Sequence, residues 1–486
     1  MNAGHATDPS VERVPDRTAL VVDDLATTYR ELESTTRRTA AALAAAGVEP
    51  GDRVALVNLG SVLSVATILA AARLGAASAQ MNAYLTTGEL GRLVSQVGAR
   101  VGVAGAAFAD RLAGVVDGPV LGTADVAAAD PDAAPATTGG GDDTALVLFT
   151  SGTTGLPKPI EISHRSVTDR LAFYGRPIDA DAPQAVDLLS APIFHIGGTL
   201  GMLVTLCQGK ALVVLPRFDA GAWLAAVERH RVSQTFVVPT MLRRILDHPR
   251  FAETDLRSLR SLSYGAAAAP EDLVRRAMAA LPGVDFSNTF GQTETLGAFA
   301  ALTPDDHRRG DRFGSVGRPL PGVEVRIVDP TSGEAVPTGG VGEFVVRAGQ
   351  NTTAEWHRTG DTGRQDEEGY LYLTGRLSDT INRGGEKFGP AEVEDALRTH
   401  PDVVDVGVVG LPDPELGERV GAVVVLRSPV DPADLVGHAA VHLAGYKVPE
   451  VVAVADELPV TVLGKLDRSA LRTLLEDAPP LRRPSG

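Results

Sequence analysis

The chain has 486 residues, 44% of them hydrophobic and 22% charged, and 45 Lys and Arg against 61 Asp and Glu give a formal net charge of −16. This length exceeds the roughly 250–300 residues that one hydrophobic core supports, so we expect two or three domains. The acidity argues against nucleic acid as a partner, because proteins that bind nucleic acid carry basic surfaces.

The cysteine content and the polarity of the chain restrict its location and chemistry. One cysteine, Cys207, excludes a disulfide framework and a cysteine-rich metal site, and its apolar neighbours favour a buried, inert thiol. The polar residues 1–11 do not resemble a signal peptide. The best membrane candidate, 63–79, contains Arg73 and is shorter than the roughly 20 apolar residues of a membrane-spanning helix. We therefore expect no membrane span and a cytoplasmic location.

Helix and strand patterns alternate in the first third of the chain. Apolar residues recur at helical spacing over 29–46 and 62–74, whereas 53–58 and 98–104 are typical of short buried strands. This alternation predicts layered α/β subdomains with largely parallel sheets. Residues 123–143 are mostly Ala, Asp, Pro, Thr and Gly, a composition typical of a linker.

The last third has a different pattern. Short β-patterned runs at 323–328 and 342–347 predict a β-rich subdomain. A smaller α+β unit begins near Ser378, with a predicted helix at 392–398 and a predicted strand at 406–410. The predicted fold class is therefore α/β, with the β-rich and α+β parts following the layered ones.

The loop after the predicted strand 145–149 carries the clearest chemical signal. It consists of Thr150, Ser151, Gly152, Thr153, Thr154, Gly155, Leu156, Pro157 and Lys158. Small and hydroxylated residues leave backbone N–H groups free to surround an anion, and the glycines permit a tight path. The spacing from glycine to lysine differs from that of a P-loop. Such a loop alone is more often a flexible connection, but the preceding strand and the lysine together predict phosphate binding.

This loop resembles the signature loop of the adenylate-forming superfamily, which includes acyl-CoA synthetases, aryl-CoA ligases, firefly luciferase and peptide-synthetase adenylation domains. The superfamily's other motifs follow in the same order, and the resemblance covers about 29–471. They are an acyl-pocket motif at 191–197, an adenine-facing segment at 264–270, N-x-Y-G-x-T-E at 288–294, T-G-D at 359–361, a hinge motif at 375–379 and a lysine motif at 464–468. Alanine replaces a common proline at Ala268, and phenylalanine replaces the usual tyrosine at Phe290.

The resemblance implies an ATP-dependent acid–thiol ligase that makes acyl-AMP and passes the acyl group to coenzyme A. The expected cofactors are ATP, Mg²⁺ and coenzyme A. The implied organisation is a large N-terminal domain at 1–377, a hinge at 378–379 and a small, mobile α+β C-terminal domain at 380–486.

The resemblance also assigns catalytic roles, which the chemistry explains. A carboxylate must attack the α-phosphorus of ATP, so two anions have to be brought together. Glu294 is the expected magnesium ligand, and Lys465 is expected to bridge the acid's oxygen and the α-phosphate. His195 is expected to line the junction between the acyl group and the thiol, although a lone histidine in an apolar segment is more often a core residue.

The remaining assignments concern nucleotide and coenzyme A. Asp361 is expected to bind both ribose hydroxyls, Asn288 the adenine amino group, and Arg376 a phosphate or the ribose. The glycines at 384 and 385 are expected to border the pantetheine tunnel. The full expected binding set is Thr150, Ser151, Gly152, Thr153, Thr154, Gly155, Lys158, Gly265, Ala266, Ala267, Asn288, Thr289, Phe290, Gly291, Thr293, Asp361, Arg376, Gly384 and Gly385.

The expected acid is sizeable and hydrophobic. Peptide-synthetase domains hold an amino acid's ammonium with an aspartate at the position of His195, and an unpaired ammonium would be costly, so amino acids are not expected. The pocket candidates are small or apolar: Val238, Pro239, Gly265, Ala266, Ala267 and Gly291. An alkyl, alicyclic or aryl acid would fit such a pocket.

Alternatives remain open at this point. Glu294, Asp361 and Lys465, taken singly, would more often be solvated surface residues. A carrier protein could replace coenzyme A as acceptor, and the short connection 348–355 leaves open an enzyme of one half-reaction. A luciferase-like oxidative enzyme would share every motif. A non-catalytic nucleotide binder would be expected to lack Glu294 or Lys465, and both are present.

Overall fold

A computed structural model describes residues 2–150, 157–267, 269–349, 351–352, 355–461, 464–476 and 478. The chain forms two compact units. The first comprises Met1–Glu324 and Val346–His357, and the second comprises Val325–Val345 and Arg358–Gly486.

The first unit alternates helices and strands, as predicted. Its helices are α1 (Asp8–Arg13), α2 (Tyr29–Ala45), α3 (Val62–Arg73), α4 (Thr87–Val97), α5 (Ala109–Ala113), α6 (Thr123–Ala128), α7 (His164–Tyr174), α8 (Ile196–Cys207), α9 (Ala220–His230), α10 (Pro239–Asp247), α11 (Glu271–Ala280) and α12 (Pro304–Arg309). Its strands are β1 (Thr18–Val22), β2 (Leu25–Thr28), β3 (Arg53–Val57), β4 (Ala77–Met81), β5 (Val101–Ala104), β6 (Val120–Leu121), β7 (Thr144–Thr150), β8 (Lys158–Ser163), β9 (Val186–Leu189), β10 (Ala211–Val214), β11 (Gln234–Val237), β12 (Ser261–Gly265), β13 (Asp285–Gln292), β14 (Gly297–Leu302) and β15 (Arg318–Pro319).

Two sheets organise this unit. One has the strand order β15-β14-β13-β12-β11-β9-β10-β1-β2, parallel through its centre and antiparallel at both ends. The other has the order β6-β5-β3-β4-β7-β8 and is parallel except for β7–β8. Val54 to Val57 of β3 are at most 1% exposed, as expected of a parallel strand with both faces covered. The largely parallel α/β layers therefore match the sequence prediction.

The apolar segment at 63–79 belongs to this packed interior. Leu63 to Arg73 are buried along α3, and β4 continues the buried path from Ala77. Among the described residues, no helix has both the length and the apolar character needed to cross a membrane.

At the end of α8, burial raises the pKa of the Cys207 thiol to about 11, which keeps it in the less reactive protonated form.

The expected linker at 123–143 is more ordered than its composition indicated. It contains α6 and a 3₁₀ turn at Pro131–Ala133, and the Arg38 guanidinium donates to the Ala127 carbonyl at 3.2 Å. The interpretation of the whole segment as a linker was wrong. Alanine-rich sequence allows helix as well as loop, and contacts with α2 decide the outcome here.

The strands from Glu324 onward form two further sheets. These strands are β16 (Glu324–Val328), β17 (Gly342–Arg347), β18 (His357–Gln365), β19 (Leu371–Arg376), β20 (Ile381–Arg383), β21 (Glu386–Phe388), β22 (Val403–Asp413), β23 (Gly417–Leu426) and β24 (Val451–Val454). One sheet has the order β16-β17-β18-β19, and the other the order β21-β20-β23-β22, with β24 parallel to β23. The helices are α13 (Pro390–Arg398), α14 (Pro432–His442) and α15 (Arg468–Glu476).

Candidate active site

The predicted phosphate loop connects two paired strands. Thr150 ends β7 and Lys158 begins β8, and these two residues are register partners in the antiparallel pair. The pairing brings both ends of the loop together, and the Lys158 side chain is exposed. Ser151, Gly152, Thr153, Thr154 and Gly155 lie outside the described residues, so their roles stay predictions.

The residues expected to face adenine lie at the carboxyl end of β12 and beside it on the parallel neighbour β13. Gly265 pairs with Thr289, and the preceding residue of each strand, Tyr264 and Asn288, also pair. A Cβ atom at position 265 would lie 2.1 Å from the Thr289 carbonyl oxygen, so only glycine fits there. The next residue, Ala266, has a positive φ of 65°, which turns the chain away from the strand. The sequence motif therefore corresponds to a real juxtaposition of these two segments.

The turn between β13 and β14 carries Thr293 and the expected metal ligand Glu294. The backbone carbonyl oxygen of Glu294 accepts hydrogen bonds from the Thr352 backbone N at 3.0 Å and from its hydroxyl at 3.2 Å. The shortened connection after Arg347 thus holds this turn. Sequence reasoning missed Thr352, because no local pattern links it to a residue 58 positions earlier.

The Glu294 carboxylate suits a magnesium ion that is already bound to the phosphates of a nucleotide. The residue is half-buried, and the described part of the chain contains no group of three or more His, Cys, Asp or Glu placed to bind a metal. Mg²⁺ is usually held by one or two carboxylates together with substrate phosphates and water, rather than by an all-protein cage. A single carboxylate is therefore sufficient for this type of site.

Strands β13 and β14 approach each other closely around Gly291. A Cβ atom at position 291 would lie 2.0 Å from the Gly297 carbonyl oxygen, which explains the glycine. The preceding Phe290 ring contacts the Phe299 ring edge-on, with a centroid separation of 4.9 Å. Phenylalanine in place of tyrosine therefore still packs as an aromatic residue at this position.

His195 immediately precedes α8, where its backbone carbonyl accepts the Thr199 N–H at 2.9 Å. Its ring lies 4.8 Å from that of the buried Phe194, which in turn contacts Tyr84 at 6.2 Å. The Arg217 guanidinium lies 5.1 Å from the Tyr84 ring centroid. Tyr84 and Arg217 were not predicted, since neither belongs to a recognisable motif.

Asp361, Arg376 and Lys465 come together in the second unit. Asp361 on β18 and Arg376 on β19 are register partners, and the Arg376 Nε lies 2.5 Å from the Asp361 carboxylate, whose side chain is only 3% exposed. Burial lowers the pKa of Lys465, the positive charge of Arg376 lowers it further, and the negative charge of Asp361 opposes both. Residues predicted from separate motifs therefore share one electrostatic environment.

Backbone hydrogen bonds fix the turn that carries Lys465. The Lys465 carbonyl accepts the Thr461 N–H at 2.7 Å, and the Gly464 N–H donates to the Thr461 carbonyl at 2.7 Å. Gly464 has a φ of 69°, which favours glycine. Hydrogen bonds to Thr461 thus hold the backbone of Gly464 and Lys465.

Gly384 and Gly385 form the turn of the β20–β21 hairpin. Their φ angles are 61° and 93°, and the Gly384 N–H donates to the Leu416 carbonyl at 2.7 Å. A Cβ atom at position 385 would meet nothing within 4 Å. Backbone conformation accordingly explains both glycines, and their role beside the pantetheine stays a prediction.

Comparison with known proteins assigns the chain to a family. Residues 8–355 match the AMP-binding enzyme family, and residues 392–465 match the C-terminal domain of AMP-binding enzymes. The chain belongs to the AMP-binding enzyme family. This AMP-binding enzyme is 37% identical to the feruloyl-CoA synthase of an Amycolatopsis species, over 94% of this chain and 96% of that protein.

Two further relatives support the assignment. The indoleacetate–CoA ligase of Aromatoleum aromaticum is 35% identical, over 95% of this chain and 96% of that protein. The structure of ATP-bound MatB from Rhodopseudomonas palustris has a TM-score of 0.87 and 30% identity, over 98% of this chain and 99% of that chain. The predicted superfamily and fold class are confirmed, whereas the domain boundaries, the hinge and the roles of individual residues stay predictions.

The first prediction concerns Glu294. Glu294→Gln removes the charge that a divalent cation needs, so pyrophosphate release that depends on the acid should fall about 10²-fold or more with an unchanged unfolding temperature. Glu271→Gln, which alters an exposed carboxylate paired with Arg275, is the matched control and should retain activity. Near-normal release at ordinary magnesium concentrations would exclude Glu294 from the metal site.

The second prediction concerns the charge of Lys465. Because the lowered pKa makes Lys465 lose its proton at a lower pH than an ordinary lysine, adenylation that needs the charged amine should decline on the alkaline side. Arg376→Gln removes the positive charge that lowers the pKa of Lys465, so that pKa should rise. The adenylation activity that remains should therefore decline at a higher pH than in the wild type. Profiles of acyl-AMP formation against pH test this, and an alkaline limb that stays in place or moves to lower pH would contradict it.

Proposed function

We propose that this AMP-binding enzyme activates a hydrophobic carboxylic acid as acyl-AMP and then transfers the acyl group to coenzyme A. The observation that carries the proposal is the grouping of Lys465, Arg376 and the buried carboxylate of Asp361. A half-buried lysine beside an arginine is unfavourable in the isolated protein, and an anionic ligand offsets their repulsion.

The family and its coenzyme A ligases confirm the predicted enzyme class, an AMP-forming acyl-CoA synthetase that uses ATP, Mg²⁺ and coenzyme A. ATP and free coenzyme A are both cytoplasmic metabolites, which supports a cytoplasmic location as part of the proposal. The acceptor and the acid need separate arguments.

In the first half-reaction, a carboxylate oxygen attacks the α-phosphorus of ATP. The new bond joins that oxygen to phosphorus, and the bond from the α-phosphorus to the departing pyrophosphate breaks. Lys465 contacts both the acid and the α-phosphate and thereby reduces the repulsion between two anions. Asp361 binds the ribose hydroxyls and Arg376 neutralises phosphate charge. Glu294 would hold Mg²⁺, which would supply charge neutralisation for the departing pyrophosphate.

In the second half-reaction, the thiol sulfur of coenzyme A attacks the acyl carbon. AMP leaves with the former acid oxygen, and the thiol proton passes to solvent. In this step the turn at Gly384 and Gly385 lies beside the pantetheine. Rotation of the C-terminal domain about residues 378–379 brings this turn to the reacting atoms and withdraws Lys465 from them. The proposed hinge coincides with the 3₁₀ turn Leu377–Asp379, a short element that can absorb a backbone change.

We propose an aromatic acid as the first candidate substrate. Val238 and Pro239 are buried apolar residues, which suits a hydrophobic acid, whereas Gly265 and Gly291 are packed against backbone carbonyl oxygens and add no space of their own. His195 provides no carboxylate for an amino acid's ammonium. The two relatives described above are named for aromatic acids, feruloyl and indoleacetate, which supports the same class here.

A substrate screen tests the proposed reaction. Pyrophosphate release is measured over aryl, alicyclic, alkyl and amino acids, with coenzyme A, with a phosphopantetheinyl carrier protein, and with neither. We expect release with hydrophobic acids, thioester formation with coenzyme A, and no release with amino acids. Thioester formed on the carrier protein but not on coenzyme A would overturn the proposed acceptor.

The third prediction separates the half-reactions. Lys465→Ala should abolish formation of acyl-AMP from acid and ATP, yet should still convert supplied acyl-AMP and coenzyme A to thioester, because Lys465 acts only on the first step. An unfolding temperature equal to that of the wild type is the control for folding. Equal loss of both half-reactions in a folded variant would contradict a separate position of the C-terminal domain for each half-reaction. Loss of neither half-reaction would show that Lys465 is not a catalytic residue.

A further inference from the structure

Arg468 belongs to the lysine motif, but the reaction described above gives it no role. It is the first residue of α15 and stands three positions after Lys465. Its Nε donates to the Asp379 carboxylate at 3.1 Å, and its Nη1 donates to the Glu394 carboxylate at 2.9 Å and to the Val408 carbonyl. One guanidinium therefore joins the lysine motif to the proposed hinge and to two other elements.

The contacts of Arg468 divide into two kinds. Glu394 on α13 also accepts the Val408 N–H of β22 at 3.1 Å, and its side chain is only 9% exposed. These bonds fix Arg468 within the C-terminal α+β fold. Asp379 instead belongs to the 3₁₀ turn at which the proposed rotation occurs, and its carboxylate also accepts the Ser378 hydroxyl at 3.0 Å. Of these three contacts, the Arg468–Asp379 bond is therefore the one that reaches the proposed hinge.

The backbone transmits the position of Arg468 to Lys465. Val460 and Leu466 form an isolated antiparallel bridge, and the Leu471 N–H donates to the Asp467 carbonyl at 3.0 Å as α15 begins. Together with the Thr461–Lys465 bond, these contacts leave little freedom between the lysine turn and the helix. Fixing the start of α15 therefore also fixes the direction from which Lys465 approaches the nucleotide.

We propose that Arg468 is a positioning residue whose bond to Asp379 holds Lys465 beside Asp361 and Arg376 during adenylation and is released for acyl transfer. The inference rests on the proposed two-step function. The Arg468 and Asp379 side chains are 22% and 30% exposed, so the pair is partly screened by solvent. A contact of that modest strength is suited to breaking and re-forming once in every catalytic cycle.

Asp379→Asn is the informative variant. It removes the charge of the hinge carboxylate and leaves the bonds from Arg468 to Glu394 and Val408 in place. Arg468→Ala would instead remove the nearer cation from the buried Glu394 carboxylate, since Arg398 lies 4.0 Å away, and this loss would also destabilise the fold. Asp379→Glu keeps the charge and serves as the rescue variant. Arg472→Ala is the matched control, because Arg472 lies one turn further along α15 and its Nε donates to the Gly410 carbonyl at 3.2 Å rather than to a carboxylate at the hinge.

The experiment measures both half-reactions on each variant: acyl-AMP formation from acid and ATP, and thioester formation from supplied acyl-AMP and coenzyme A. We expect Asp379→Asn to slow adenylation about three- to tenfold and to leave transfer within about twofold of the wild type. Asp379→Glu should recover most of the adenylation rate, and Arg472→Ala should match the wild type. Raising NaCl from about 0.05 to about 0.5 M should narrow the difference between wild type and Asp379→Asn, because the pair is partly exposed.

A double-variant comparison tests whether the two side chains act together. In the Arg468→Lys background, which keeps a cation beside Glu394 but loses the forked guanidinium, Asp379→Asn should slow adenylation less than it does alone. Equal slowing of both half-reactions by Asp379→Asn, or no slowing of either, would overturn the positioning role. A wild type that forms acyl-AMP with none of the acids would overturn the proposed function itself, which distinguishes the two failures.

Discussion

In the second unit, Arg376 pairs with the buried Asp361 carboxylate, and the chemistry that we propose depends on the charge of Lys465 in the same electrostatic environment. Lys465 and Arg376 repel each other, and Asp361 offsets part of this repulsion. In a chain with a formal charge of −16, two cations placed in one environment favour the binding of an anion there. Joining a carboxylate to a phosphate is limited by the repulsion between two anions, and the role proposed for this cluster is to reduce that repulsion.

The parallel sheet of the first unit brings further motif residues together. Gly265, the last residue of β12, pairs with Thr289 within the parallel neighbour β13, and their close approach excludes a side chain at 265. The turn after β13 then presents Glu294, whose backbone carbonyl is held by Thr352. Such close approaches of backbone segments explain the glycines in these motifs, and the recognition of a nucleotide by this geometry is part of the proposal.

Local patterns predicted much of the fold, and motif resemblance named the site residues, whose individual roles stay predictions. The capping pair Thr28 and Glu31 begins α2 where the helical spacing begins, and the buried strand β3 follows its apolar run. The bonds from Thr352 to Glu294 and from Arg468 to Asp379 could not be predicted, because they join residues far apart in sequence. The helix within 123–143 was missed for a similar reason, since composition alone does not show what the segment packs against.

The path of one oxygen atom tests the central claim most directly. When the acid is labelled with ¹⁸O in its carboxylate and converted to thioester, attack on the α-phosphorus carries one labelled oxygen into the new bond. Cleavage by the thiol then leaves that oxygen on AMP. Mass spectrometry should therefore find a single ¹⁸O in AMP and none in pyrophosphate. Label in pyrophosphate or phosphate, or thioester formed with unlabelled AMP, would contradict the acyl-AMP mechanism for this enzyme.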